Sequence, residues 1–225
     1  FTVVHIKTDS IKIADATPEI IQFCMDFAKK YGYSFEHEAT YEKICLVNNA
    51  VYVAKAASPE WCMNTYGYVP EENEAAYLEA EGYWTATGTQ FKVPYVFDTL
   101  FGHDGITFED KCEVKSSKEG ALYLDFNENL PEGEHSYRFV GRVGQFTPMK
   151  PGCGAGELLV KREDKKTGET KFVAAPGTTG YRWMESEVVR MNNKQNLADD
   201  SYYISLVDKA KEVIGKYGDF EWFAS

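Results

Sequence analysis

Apolar and polar positions alternate from the start of the chain. Across FTVVHIKTDSIKI, Thr2 to Ile6 alternate loosely, Lys7-Thr8-Asp9-Ser10 interrupt, and Ile11 and Ile13 resume with a period of two. This predicts a β-hairpin with Asp9 at its tip. The chain opens inside a strand with neither an initiator Met nor a leading polar segment, and so reads as a fragment whose preceding residues belong to the same sheet. Thr17-Pro18 gives an N-cap and first-turn signal, and Ile20, Ile21, Cys24, Phe27, Ala28 and Tyr31 form one apolar stripe before Gly32. That pattern predicts a surface helix packed on a sheet. FEHEATYEKICLV then predicts a long strand, Asn48-Asn49 a turn, and AVYVAKA a returning strand. Hairpin, helix and hairpin together predict an α+β arrangement whose strands share one helix-covered face.

The pattern changes at Ser58. From there to Trp84 the chain holds six Glu (60, 71, 72, 74, 79 and 81) with neither Lys nor Arg, and reads as an acidic surface excursion. Pro94 to Phe101 predicts a short helix ending near Gly102, and Thr107-Phe-Glu-Asp110 fits a capping-box start for another. A second β-rich region follows. GALYLDF, YRFVGRVGQF, ELLVKRE and TKFVAA are its strand candidates, separated by Pro-Glu-Gly, MKPGCGAG and KKTGE. A last helix is predicted from Asp199 or Asp200, with apolar positions at Tyr203, Leu206, Val207, Ala210, Val213, Ile214 and Tyr217. The expected organisation is therefore α+β in three parts: residues 1–57, an acidic and helical linker region 58–110, and a β-rich region 111–225 closed by a helix.

Composition narrows the class. At 225 residues and 44% hydrophobic, the chain suffices for one sizeable core or two modest ones. It carries no secretory signal and no run of eighteen apolar residues, which supports neither export nor membrane spanning. Cys24, Cys45, Cys62, Cys112 and Cys153 are widely spaced and lack any Cys-x-x-Cys, as expected of reduced thiols in a cytoplasmic protein. A formal net charge of -11 argues against non-specific nucleic-acid binding by the whole surface, and leaves room for a local basic groove.

Few residues carry candidate chemistry. The loop PGCGAGE resembles an anion cradle, yet the strand-like ELLVKRE follows it, so it reads as a connection between strands. Lys115, Lys118, Arg138, Arg142, Lys150, Lys161 and Arg162 are candidates for a basic face meeting DNA phosphates, and Tyr181-Arg182-Trp183 for stacking on a nucleotide or for ordering the turn before it. A hairpin tip projects the Asp9 carboxylate out of its sheet, where it holds a divalent cation if a second carboxylate arrives from a neighbouring strand. In a Thr-Asp-Ser turn taken alone, an Asp serves more often as a structural hydrogen-bond acceptor.

The stretch VVHIKTDSIKI resembles the palm hairpin of the family B DNA-directed DNA polymerases, phage and protein-primed branch, usually written Asp-Thr-Asp-Ser and followed by a helix and a hairpin bearing Lys-x-Tyr. FVGRVGQFTPMKPGCGAG, GTTGYRW and YGDFEWF are similar to C-terminal stretches of gut-phage polymerases, and TATGTQFKVPYVF falls at the approach to the thumb. The resemblance implies a palm-like hairpin, helix and hairpin followed by a β-rich thumb-like region, with Asp9 as catalytic metal ligand and Tyr52 beside the primer. It also implies two Mg2+ ions about 3.5–4 Å apart that activate the primer 3'-hydroxyl and stabilise the leaving pyrophosphate. Primer-template DNA and dNTP are the implied partners, with Arg138, Arg142, Lys150, Lys161 and Arg182 as nucleic-acid contacts. Lys7 stands where the family has its first Asp, and Ala50 where it has the Lys of Lys-x-Tyr, leaving Lys43 or Lys55 as substitutes. The second palm carboxylate and the fingers come from an upstream half. The fragment alone is therefore expected to be inactive, with a non-catalytic DNA-binding or protein-interaction module derived from the same fold as the alternative.

Overall fold

The computed structural model describes residues 1–79, 83–102, 105–127, 130–163 and 166–225. Glu81 of the acidic run and Lys165 of the KKTGE turn lie outside them. The chain divides into two compact units, residues 1–92 with 210–225, and residues 93–209. Both are built of helices and antiparallel sheets, an α+β fold.

The first unit opens with β1 (Thr2–Lys7) and β2 (Ser10–Ala14), paired so that Lys7 faces Ser10 across a turn of Thr8 and Asp9. Thr17 caps α1 (Pro18–Lys29), its hydroxyl accepting from the Ile20 N–H, and Pro18 fills a position whose missing N–H costs nothing there. β3 (Tyr41–Asn48) and β4 (Val51–Ala56) form the second hairpin, in which the Asn48 side chain accepts from the Ala50 and Val51 N–H groups. α2 (Pro59–Tyr66) is capped by Ser58 and ended by Gly67, whose φ of 79° suits a residue without Cβ. α3 (Glu71–Glu79), β5 (Trp84–Ala86) and α4 (Thr89–Lys92) complete this stretch.

Two expectations for the first unit need correction. The two hairpins do not share a sheet: among the described residues β1 and β2 pair only with each other, whereas β3, β4 and β5 make a three-stranded sheet. The apolar stripe of α1 is also not all inward. Ala28 is buried, but Phe27 and Tyr31 are 48% and 66% exposed. They form an outward row with Phe23 and Phe1, neighbouring ring centroids lying 5.2 to 6.0 Å apart.

The acidic excursion is anchored rather than free. Asn73 is fully buried on α3; its Oδ1 accepts from the Thr40 N–H at 2.8 Å, and its Nδ2 donates to the carbonyls of Thr40 and Ala57 at 2.8 and 2.9 Å.

The second unit begins with α5 (Pro94–Phe101) and continues through a 3-10 turn at Glu109–Lys111, where the Asp110 carboxylate accepts from both the N–H and the hydroxyl of Thr107. Its strands are β6 (Glu113–Ser116), β7 (Leu122–Asp125), β8 (Tyr137–Gly141), β9 (Val143–Met149), β10 (Glu157–Glu163), β11 (Thr170–Ala174) and β12 (Arg182–Glu185). They form a four-stranded sheet in the order β11-β10-β7-β8 and a three-stranded sheet in the order β12-β9-β6. The single run YRFVGRVGQF thus supplies one strand to each, breaking at Arg142. α6 (Ser186–Met191) follows β12, and α7 (Asp200–Gly215) carries the chain from the second unit back into the first, where Asp219 caps α8 (Phe220–Ala224).

The core of the second unit is formed by Leu122, Leu124, Phe146, Leu158, Val160, Trp183, Tyr202 and Tyr203. Strand alternation sends the intervening residues of β7 and β10, Tyr123, Leu159 and Lys161, to the other face of the four-stranded sheet.

Candidate functional site

The hairpin turn sets Asp9 at the exposed end of β1 and β2, and its carboxylate makes no hydrogen bond or ion pair among the described residues. The same residues gather no three His, Cys, Asp or Glu side chains into a metal-binding group. Asp9 thus presents an accessible carboxylate in a tight turn, and further ligands would be needed to hold a divalent ion there.

Tyr52 lies on β4 of the second hairpin, and that hairpin is tied to the first in two places. His5 Nε2 meets the Asn49 carbonyl at 3.0 Å. The Lys12 ammonium lies 4.8 Å from the Tyr52 ring centroid and 5.4 Å from that of Tyr41, itself 6.4 Å from Tyr52. Burial and the charge of Glu72 push the Tyr41 hydroxyl far above its ordinary range. Burial and Glu38 raise the Glu72 carboxyl, partly opposed by Lys12. Lys12, Tyr41, Tyr52 and Glu72 therefore form one coupled group. Only Tyr52 was legible as a candidate, because the others come from strand β2, the start of β3 and the distant helix α3.

Lys43 and Lys55, the substitutes for a missing Lys-x-Tyr lysine, both reach the end of the chain. Lys43 Nζ donates to the Trp222 and Ser225 carbonyls at 3.0 and 2.7 Å, and Lys55 Nζ to the Ser225 carbonyl at 3.3 Å. They hold α8. A shallow open groove of about 430 Å³ lies between α1 and residues 35–37, lined by Ile21, Met25, Phe35, His37 and Tyr68.

The candidate cations of the second unit fall into two groups. Arg138 pairs with Glu185 and stacks 5.2 Å from the Phe126 centroid. Lys115 forms an ion pair with Glu113 at 2.5 Å and lies 4.9 Å from the Trp183 ring, its side chain only 14% exposed. Arg182 donates to the Ala155 and Asp125 carbonyls at 3.2 and 3.4 Å and pairs with Glu157 at 3.6 Å. Lys150 donates to the Asn196 carbonyl at 3.2 Å. Each of these four has a partner within the unit. By contrast, Lys118, Arg142, Lys161 and Arg162 are exposed and form no side-chain hydrogen bond or ion pair among the described residues. Tyr181 and Trp183 pack edge-on against Tyr202 at 4.9 and 5.1 Å, and Trp183 is fully buried.

Sequence reading missed a third arrangement. Asp125 is nearly fully buried at the end of β7, one oxygen accepting from the N–H and side-chain amide of Asn127 at 2.9 and 2.8 Å, the other lying 2.8 Å from His135 Nδ1. His135 Nε2 lies 2.8 Å from the Leu130 carbonyl. Since carboxylate and carbonyl both only accept, the ring makes both bonds only when both nitrogens carry a proton. Burial acts to raise the Asp125 pKa, but the bonds from Asn127 and His135 outweigh it and hold the carboxyl below its ordinary range.

A carboxylate depressed on folding stabilises the fold fully above its unfolded pKa, near 3.9. That contribution is lost as the pH falls through the lower folded value. Urea midpoints measured from pH 6 to pH 3 are expected to fall less steeply in Asp125→Asn than in the parent chain, and equal slopes would refute this role.

No family model, curated protein or solved structure matches this chain. Among the described residues, no helix is long and apolar enough to cross a membrane.

Proposed function

We propose that the chain is the C-terminal palm-and-thumb portion of a phage-type family B DNA polymerase, completing a two-Mg2+ site when joined to an upstream palm and fingers half. The observation that carries this reading is the first hairpin. Asp9 stands in a tight turn between two antiparallel strands, followed by a capped helix and a second hairpin bearing Tyr52, in the order the family motif requires. Two Mg2+ ions about 3.5–4 Å apart transfer a nucleotide by activating the 3'-hydroxyl and stabilising the leaving pyrophosphate. In this reading Asp9 supplies one ligand, and Tyr52, with Lys12 above its ring, flanks the primer side.

The surface of the first unit favours an additional protein layer. Among the described residues β1 has one unpaired edge, and Val3, Val4 and Ile6 beside it are 41%, 42% and 70% exposed. The row of Phe1, Phe23, Phe27 and Tyr31 extends the apolar patch. An open strand edge with apolar surface around it is a template for pairing with another strand. In this proposal that strand belongs to the upstream half.

A second reading, a non-catalytic DNA-binding or protein-interaction module of the same fold, is favoured by Lys7. It sits opposite Ser10 at the mouth of the Asp9 turn and puts a cation where the family has a carboxylate.

Mg2+-dependent primer extension by the full-length parent, its Asp9→Asn variant and the 225-residue chain separates the two. The polymerase reading expects extension by the parent and none by the chain alone. Loss of even an outer-shell metal partner costs about 10–100-fold. Asp9→Asn is therefore expected to lower extension by ~100-fold or more. An inactive parent, or a fully active variant, would leave the module reading ahead.

A further inference from the structure

We propose that the outer face of the four-stranded sheet is a stacking surface for single-stranded DNA. Tyr123 on β7, Tyr137 and Phe139 on β8 and Phe172 on β11 all lie on the face turned away from the core, above the buried Leu159. The Tyr137 and Phe172 rings stack at 3.8 Å with an interplanar angle of 11°, and Tyr123 packs edge-on against Phe172 at 5.1 Å and Phe139 at 5.6 Å. The result is a braced aromatic platform whose outermost ring, Phe139, is 65% exposed. A base offers a π face to such a ring whatever its identity, so the platform selects unstacked bases rather than a sequence.

The cations lie at one end of this sheet. The Ser117 N–H bonds to the Arg142 carbonyl at 2.9 Å, and the Lys161 N–H to the Ala121 carbonyl at 3.4 Å, drawing the 117–121 turn, the end of β8 and the end of β10 together. Gly120, at φ 83°, makes this approach possible, since a Cβ there would sit 2.5 Å from the Lys161 oxygen. Arg162 faces Lys171 across the β10–β11 ladder, one position out of phase with Lys161 and Phe172 and so on the opposite face of the sheet. On the aromatic side of this end, Lys118, Arg142 and Lys161 are exposed and unpaired among the described residues, against Glu119 and Glu163. Glu157, at the other end, is paired with Arg182 at 3.6 Å. In a chain of net charge -11, this local positive excess beside an aromatic face matches a phosphate-linked strand. Lys161 links the two features, its ammonium 6.0 Å from the Phe172 centroid.

The choice of DNA over RNA rests on the polymerase reading; the stacking geometry does not. Fluorescence anisotropy of the 225-residue chain with labelled dT12, rU12 and a 12-base-pair duplex across a salt series tests the proposal. dT12 is expected to bind more tightly than the duplex and at least as tightly as rU12. Phe139→Ala is expected to weaken dT12 binding by about 5-fold or more with an unchanged salt slope, and Phe139→Trp to restore it. Lys161→Ala should reduce the slope of log K against log salt by ~0.7 for each phosphate the lysine neutralises. No dT12 binding, Phe139→Ala binding like the parent chain, duplex bound as tightly as dT12, or rU12 preferred would each overturn it. A parent inactive in extension with intact dT12 binding would remove the polymerase reading and leave the stacking face supported.

Discussion

Asn73→Ala is expected to destabilise the first unit by about 3 kcal/mol or more, although it removes only one amide group. The side chain is fully buried and makes three hydrogen bonds to backbone: one from the Thr40 N–H, and one each to the Thr40 and Ala57 carbonyls. The Thr40 carbonyl would keep a partner, because the Ala57 N–H also bonds to it at 2.9 Å. The Thr40 N–H and Ala57 carbonyl would lose the bonds that Asn73 gives them. A buried backbone group left unsatisfied costs about 1–3 kcal/mol, with the cavity left by the amide added to that. Asn73→Asp makes a useful companion. It keeps an acceptor for Thr40 but loses both donors and buries a charge, so it is expected to be at least as damaging as alanine. Urea denaturation with an unchanged m-value checks both. A midpoint change equivalent to less than about 0.5 kcal/mol, the scale of an ordinary surface substitution, would show that the α3 tie is dispensable.

That prediction concerns a segment whose sequence reads as a solvated excursion. The first turn of α3 is Glu-rich, which suits a helix N-terminus electrostatically but provides no apolar face for docking. Its anchor is a single polar residue whose partners are 16 and 33 positions away, and no local pattern reveals such a bond. The first hairpin was legible for the opposite reason. Period-two alternation, a polar interruption and a return to alternation are all local, as are the Thr17-Pro18 start of α1 and the apolar spacing of α7.

Sheet membership was much less legible than strand existence. YRFVGRVGQF contains two strands, as its alternation allows, but nothing in it specifies that β8 joins β7 while β9 joins β6 and β12. Gly141, at φ 123°, provides the break between them. Charged residues misled similarly. Lys115 and Arg182 read as free cations because Glu113 and Glu157 are recognisable as partners only once the strands are in place. The candidate site was legible at Asp9 and Tyr52, whereas Lys12, Tyr41 and Glu72, the residues coupled to Tyr52, had to be found by folding. The same holds for the aromatic face. Its four rings come from three strands, and only the observed register brings them together.

The core beneath that face supports the other large prediction. Trp183→Ala is expected to destabilise the second unit by about 3–5 kcal/mol, as large aromatic truncations in well-packed cores do. Trp183 has no exposed surface, lies edge-on to Tyr202 at 5.1 Å, and donates its indole N–H to the Thr178 carbonyl at 3.2 Å. Lys115 packs 4.9 Å from its ring, so truncation also strips one wall from the Glu113–Lys115 pair. Trp183→Phe separates these contributions by keeping a ring and losing the N–H, with an expected cost of about 1–3 kcal/mol from the hydrogen bond and reduced volume. The main-chain bonds of Trp183 to Gly156, at 2.6 and 2.9 Å, survive either change. They hold β12 beside the residue that leads into β10, the strand that carries Lys161 onto the outer face. Urea denaturation at neutral pH ranks the three proteins. The order parent, Phe, Ala is expected, and an alanine variant within about 1 kcal/mol of the parent would mean that this core closes around the missing indole instead of depending on it.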